Sequence, residues 1–110
     1  MSRTDKLIIP TREGYEFIEA DSILYCEANG NRCKIQTYSR TIQVSKPLKN
    51  IEKQLSEVLF FRVHQSFLVN VEEVTKYIKG KGGYVVLSNG CEIKIAESRR
   101  EDVLRKLYII

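Results

Sequence analysis

Apolar and polar positions alternate in short runs along most of the chain, and turn residues punctuate them at close intervals. That is the pattern of an antiparallel β domain built from hairpins. Leu7-Ile8-Ile9 reads as a first strand, and Arg12-Glu13-Gly14 turns it into Tyr15-Glu16-Phe17-Ile18-Glu19. Ile23 to Ala28 forms a third strand running into Asn29-Gly30, a pair suited to a tight hairpin because both residues tolerate positive φ. Arg32 to Tyr38 returns, and Ser39-Arg40 turns the chain into Thr41-Ile42-Gln43-Val44. With Asn29-Gly30 as a two-residue loop, Leu24 faces Ile35 and Cys26 faces Cys33 on an apolar side. Tyr25 then faces Lys34 and Glu27 faces Arg32 on the polar side, leaving Arg32 and Lys34 together near the tip.

The period changes between Pro47 and Glu57, where Leu48, Ile51 and Leu55 fall on one face of a short helix. Ser45 is placed to cap it and Pro47 suits its first turn. Phe60-Phe61-Arg62-Val63 and Ser66-Phe67-Leu68-Val69 are short strands separated by His64-Gln65. Val74 to Ile78 and Tyr84 to Leu87 flank a basic tip, Lys79-Gly80-Lys81-Gly82-Gly83, and Asn89-Gly90 turns into Cys91 to Ile95. Ser98-Arg99-Arg100-Glu101 has the capping-box pattern, opening a last helix with Val103, Leu104 and Leu107 on its apolar face. Without a repeat, linker or low-complexity tract, residues 1–110 read as a single, mainly β domain with two short helices, its core at about 6–107.

Composition narrows the class of function. At 110 residues and 43% hydrophobic, the chain has room for one compact domain and is too short for a two-domain enzyme. No apolar run approaches the roughly 18–20 residues that span a bilayer, and Met1-Ser2-Arg3-Thr4-Asp5 lacks a signal-peptide pattern, so the expected place is the cytoplasm, away from membranes. Cys26, Cys33 and Cys91 are odd in number and irregular in spacing, which fits buried apolar thiols rather than disulfides or a zinc site. With His64 as the only histidine, no nucleophile elbow and no ligand-pair spacing, neither an enzyme, a metal centre nor a cofactor is expected.

The net charge of +4 is unevenly distributed. Residues 5–27 hold two basic groups against six acidic ones, whereas residues 29–53 hold six basic groups against Glu52 alone. From Val74 onward there are eight basic groups and four acidic ones. Such polarity points to a surface that faces a polyanion. His64, Gln65 and Ser66 interrupt an apolar run; they either reach a base edge or phosphate, or satisfy the backbone of a connecting turn. Lys46, Lys49 and Lys53 read as the solvated side of an amphipathic helix, while Lys79 and Lys81 suit sequence-independent phosphate contacts.

Phe61-Arg62-Val63-His64-Gln65-Ser66-Phe67-Leu68-Val69-Asn70 resembles the F-R-x-H-x-S-[FY]-[LIV]-[LIV]-N signature of LytTR DNA-binding domains. Ile9 to Tyr15, Ile23 to Asn31, Lys46-Pro47-Leu48 and Gly83 to Gly90 agree with the same family in order, so the resemblance covers about residues 6–107. It implies an elongated set of antiparallel sheets built from hairpins with two short helices. It also implies a bacterial transcription-factor output domain that binds double-stranded DNA through loops in successive major grooves, as two copies on direct repeats. By position, the family's contacts fall on Asn31, Arg32 and Lys34, on the turn His64-Gln65-Ser66, and on Ala96 to Arg100, where Ser98, Arg99 and Arg100 are the candidate contacts and Glu97 would repel phosphate. Many relatives carry an aromatic-Thr pair or a His where this chain has Arg32-Cys33, and S-R-R-R where it has Glu97 and Ser98; Arg99 or Arg100 then takes the arginine's part.

The resemblance further implies a homodimer on DNA, a receiver domain in a longer response regulator and an upstream sensor histidine kinase. The 110 residues hold no acidic phosphoacceptor pocket, which places phosphorylation control elsewhere; the chain is expected to be a fragment of a longer response regulator, with a standalone regulator as the alternative. The competing expectations are a non-catalytic protein-interaction module using the same basic hairpin tips, and a small hydrolase centred on His64.

Overall fold

The computed structural model describes residues 6–107; Met1–Asp5, inspected above for a targeting signal, and the last three residues lie outside the described range. Three antiparallel sheets stack along an elongated body of 46 × 37 × 23 Å. The first is the ribbon of β1 (Lys6–Pro10) and β2 (Tyr15–Glu19). The second, central sheet takes β3 (Ile23–Asn29), β4 (Arg32–Thr37), β5 (Thr41–Val44), β6 (Phe60–His64) and β7 (Phe67–Asn70), ordered β5-β4-β3-β7-β6. The third joins β8 (Val74–Ile78), β9 (Tyr84–Leu87) and β10 (Glu92–Lys94) in the order β10-β9-β8. Two short helices, α1 (Leu48–Gln54) and α2 (Arg100–Lys106), cover the ends of the layers.

The central sheet is buried on both faces. Ile23, Cys26, Cys33, Ile35 and Leu68 pack toward the ribbon and α1, against Leu7, Ile9, Ile18, Leu48 and Ile51. Leu24, Tyr25, Val63 and Val69 pack the opposite way, against Val85, Leu87, Ile93 and Ile95 of the third sheet and Val103 of α2. Alternation along β3 sends its side chains to both cores, and a break in register between Ile23 and Tyr25 puts Leu24 and Tyr25 on the same side. With both faces covered, the strand reads as an uninterrupted apolar run. Each large side chain so buried contributes about 1.5–3 kcal/mol to folding.

The structure corrects several local expectations. The β3–β4 loop is Gly30-Asn31, not Asn29-Gly30: Asn29 pairs with Arg32, Ala28 with Cys33, Glu27 with Lys34 and Cys26 with Ile35. Gly30 takes the positive φ of +66° that the tight turn needs. Leu24 therefore does not face Ile35 but lies on the other face. Ser45 does not cap α1; the N-cap is Pro47, in an extended conformation with no side-chain cap, and Ser45 lies two residues too early to reach the first free N–H groups. The helix is also shorter than 47–57, because Leu55 is already extended. Ser98 does not form a capping box either. It sits inside a 3-10 turn (Glu97–Arg99) that leads directly into α2, whereas a capping residue needs a non-helical backbone.

Candidate nucleic-acid interface

Strand pairing brings together loops that are far apart in sequence. Because β3 pairs with β4 on one side and β7 on the other, the Gly30-Asn31 loop and the Gln65-Ser66 turn emerge at the same end. They are joined by the Ala28 N–H, which donates to the Ser66 carbonyl at 2.8 Å. The Ala96–Arg100 segment lies against the other side of that turn's strand: the Ala96 N–H donates to the Val63 carbonyl at 2.9 Å and Arg99 Nη1 to the Arg62 carbonyl at 3.4 Å. The basic tip closes the row. Gly83 accepts from the Ile95 N–H at 3.1 Å, and Lys81, Gly82, Ser98 and Arg100 line one concavity of about 730 Å³. Gly83 makes the tight approach possible: at φ +81°, a Cβ there would lie 3.0 Å from the Tyr77 ring and hydroxyl.

The candidate residues differ in how free they are. Asn31, Arg32, Gln65, Ser98, Arg100, Lys79 and Lys81 are exposed along this ridge. Among the described residues, no carboxylate lies within ion-pair distance of Arg32. Lys34 is the one that is neutralised: its Nζ sits 3.2 Å from Glu27 Oε1 and 5.9 Å above the Tyr25 ring, and the bond to Glu27 pushes its pKa up. The register shift thus reverses the expected pairing and frees Arg32. Cys33, its neighbour, is fully buried and presents nothing to a ligand. Arg99 is half-buried and turned toward β6, whereas Arg100 reaches outward with Nε 3.4 Å from the Tyr77 hydroxyl.

Both readings of the His64-Gln65-Ser66 turn apply, but to different residues. His64 Nδ1 accepts the Ser66 N–H at 3.0 Å and its ring meets Phe67 edge-on at 5.7 Å, so it serves the turn. That bond fixes the proton of the neutral ring on Nε2, leaving one donor. No hydrogen-bond partner is found for the Gln65 side chain among the described residues, while its carbonyl is held from below. The group that holds it is Arg62, which the sequence reading gave no role. Its Nη2 donates to the Gln65 carbonyl at 2.7 Å and its Nε to the carbonyls of His64 and Gln65, both at 3.2 Å. Its Nη1 meets Glu52 Oε1 of α1 at 2.6 Å. An arginine inside an apolar strand was the available signal, since a largely buried cation requires partners.

Lys46, Lys49 and Lys53 are exposed, as a solvated helix face should be. Among the described residues, no cluster of three or more His, Cys, Asp or Glu side chains is placed to hold a metal, and no helix is long and apolar enough to cross a membrane.

The chain is 25% identical over 107 residues to the sensory transduction protein LytT of Bacillus subtilis, covering 94% of this chain and 44% of that protein. It is 31% identical over 88 residues to LytT of Oceanobacillus iheyensis, covering 76% and 36%. The CO-responsive transcriptional regulator RcoM of Rhodospirillum rubrum is 29% identical over 79 residues, covering 71% and 34%. The chain thus spans less than half the length of these relatives. A solved LytTr DNA-binding domain from Bacillus cereus shares the fold, with a TM-score of 0.78 over 96% of this chain and 98% of that one, at 21% identity. Since the family model for the LytTr DNA-binding domain matches residues 13–108, nearly the whole of it, the chain belongs to the LytTr DNA-binding domain family.

Proposed function

We propose that this chain is the output domain of a bacterial, cytoplasmic response regulator and reads specific sequences in double-stranded DNA by placing its ridge of loops into major grooves. The observation that carries the reading is the convergence of three separate loops and the glycine-rich tip on one end, where Arg32, Lys79, Lys81 and Arg100 make no ion pair among the described residues, although Glu97, Glu101 and Asp102 share the tip's concavity. Gln65 makes a bidentate contact to adenine and Arg32 to guanine, the pairings their donor and acceptor geometry favours. Lys79, Lys81 and Arg100 hold phosphates, with Asn31, Ser98 and the His64 Nε2 donor lending further contacts. Two copies occupy direct repeats, and tethering on one duplex raises the apparent affinity of each. A receiver domain elsewhere in the full-length protein, driven by a sensor histidine kinase, supplies the switch. The regulatory names of the longer relatives support that setting.

The test is a mobility shift on a direct-repeat promoter fragment across a salt series. Three cationic groups on the ridge, Lys79, Lys81 and Arg100, each neutralising one phosphate, give a log–log salt slope of about −2.7 for each bound copy. No binding at low salt overturns the DNA reading and favours the protein-interaction module instead. Turnover of a hydrolase substrate that His64→Ala abolishes, with the shift assay blank, favours the His64 hydrolase.

A further inference from the structure

The outer face of the third sheet is unlike that of an ordinary solvated sheet. Its inner triplet, Tyr77–Val85–Ile93, belongs to the second core. The outer triplets are Lys76–Val86–Glu92 and Ile78–Tyr84–Lys94. Lys94 shares a groove of about 360 Å³ with Lys79 and Lys81 of the tip and with Tyr84, where Glu92 is the one carboxylate. Among the described residues, none of these lysines, nor Lys76, has a carboxylate within 4.0 Å. Gly80, Lys81 and Gly83 also belong to two concavities at once or stand at their divide: Gly80 and Lys81 line both this groove and the one shared with Ser98 and Arg100. At Gly83 the backbone of the tip passes so close to Tyr77 that a side chain there has no room.

We infer that the outer face of the third sheet is a second, sequence-independent DNA surface, in which Lys76 and Lys94 hold phosphates of the duplex flanking the site read by the loops. The inference rests on the proposed DNA reading and extends it beyond the ridge. Continuity with the ridge favours flanking duplex over an acidic protein: Lys94 shares its groove with Lys79 and Lys81 of the tip, and Lys81 also lines the concavity of Ser98 and Arg100, where Glu97, Glu101 and Asp102 stand as well. A duplex long enough to leave the ridge meets this face, and a short one does not. Each phosphate held there releases counterions, so flanking length enters the salt dependence.

Fluorescence anisotropy separates the two surfaces. Wild type and the double variant Lys76→Gln/Lys94→Gln are titrated against a duplex limited to the operator and against one extended by roughly one helical turn, about 10 base pairs, on each side. Wild type binds the longer duplex more tightly, and the variant loses that gain. On the long duplex the variant's salt slope is shallower by about 1.8, two contacts at about 0.9 each, and on the short duplex it is unchanged. Equal melting temperatures establish that both proteins are folded. A variant with the wild-type length dependence and slope overturns the inference while leaving the loop reading intact, as does an equal loss on both duplexes. Wild type that binds neither duplex at low salt overturns the parent reading, and this inference with it.

Discussion

Arg62 offers the sharpest test of how the recognition turn is built. Its guanidinium is 19% exposed and ties three things together: the carbonyls of His64 and Gln65 and the Glu52 carboxylate of α1. A hydrogen bond to a charged group contributes about 1.5–3 kcal/mol. The short Nη2 bond to Gln65 falls at the lower end of that range, and the Nε bond, divided between two carbonyls, adds about 1 kcal/mol. Glu52 is 41% exposed, so solvent screening holds the ion pair to about 0.5–1 kcal/mol. Arg62→Met keeps most of the apolar stem and should cost about 3 kcal/mol, a fall in melting temperature of about 10–15 °C for a domain of this size. Arg62→Lys keeps the pair with Glu52 but has no planar fork for both carbonyls, so about half the loss is expected. The functional readout is the ratio of specific to non-specific DNA affinity. With the turn released, Gln65 loses its fixed aim, and discrimination falls about tenfold within the 1–3 kcal/mol that a bidentate base contact supplies. Differential scanning calorimetry and competitive anisotropy check the two halves. If Arg62→Lys keeps wild-type discrimination and melts within about 2 °C of wild type, the clamp is not what positions Gln65.

Gln65→Ala should relax sequence preference with no change in melting temperature, because its side chain has no partner within the described fold; binding to base-substituted operators checks this, and unchanged preference refutes it. Gly83→Ala should lower stability by about 1–3 kcal/mol in urea titrations, through both its φ of +81° and the 3.0 Å approach to Tyr77. Gly30→Ala, at φ +66° in open space, should cost only about 1 kcal/mol, and equal costs would count against the close-approach argument. Burial pushes the Cys33 thiol up to about 11, and burial, with Cys33 adding to it, raises Cys26 as well. A raised folded-state pKa gives stability that is complete below the unfolded value and lost as pH climbs through the folded one. Between about pH 9 and 11 stability should therefore fall by about 1.4 kcal/mol per pH unit for each thiol. Urea melts over that range check it, and a flat profile refutes it.

The strands were legible because their alternation is a local property. Even where the β3–β4 pairing was misjudged, the faces of Cys26, Cys33 and Ile35 came out right, since the observed register moves each partner by two residues and two is the period of a strand. The charge pairing did not survive the same move, and Lys34 rather than Arg32 came to face Glu27. Leu24 was placed wrongly because a bulge in β3 is dictated by the need to fill two cores, which no local pattern records. The helix caps at Ser45 and Ser98 failed for a related reason: both helices are short and held by packing, so their starts follow tertiary contacts rather than capping chemistry. Within the candidate interface, the residue types were visible in sequence and by resemblance. Their convergence was not, because Asn31 and Arg100 meet one ridge only through the pairing of β3 with β7 and the bond from Ala96 to Val63.

The double duty of β3 has a consequence for how the domain comes apart. One strand supplies Ile23 and Cys26 to one core and Leu24 and Tyr25 to the other, so neither half holds a complete interior of its own. Loss of β3 opens both sides, which makes a single cooperative transition the natural behaviour. The backbone amides of β3 should then exchange with solvent only through whole-molecule opening. Its pairing with β7, more than forty positions along the chain, closes a large loop and places the molecule among the slower, topology-limited folders. The ridge of loops inherits that property: it is assembled in one step with the central sheet, and a partly folded chain presents none of it.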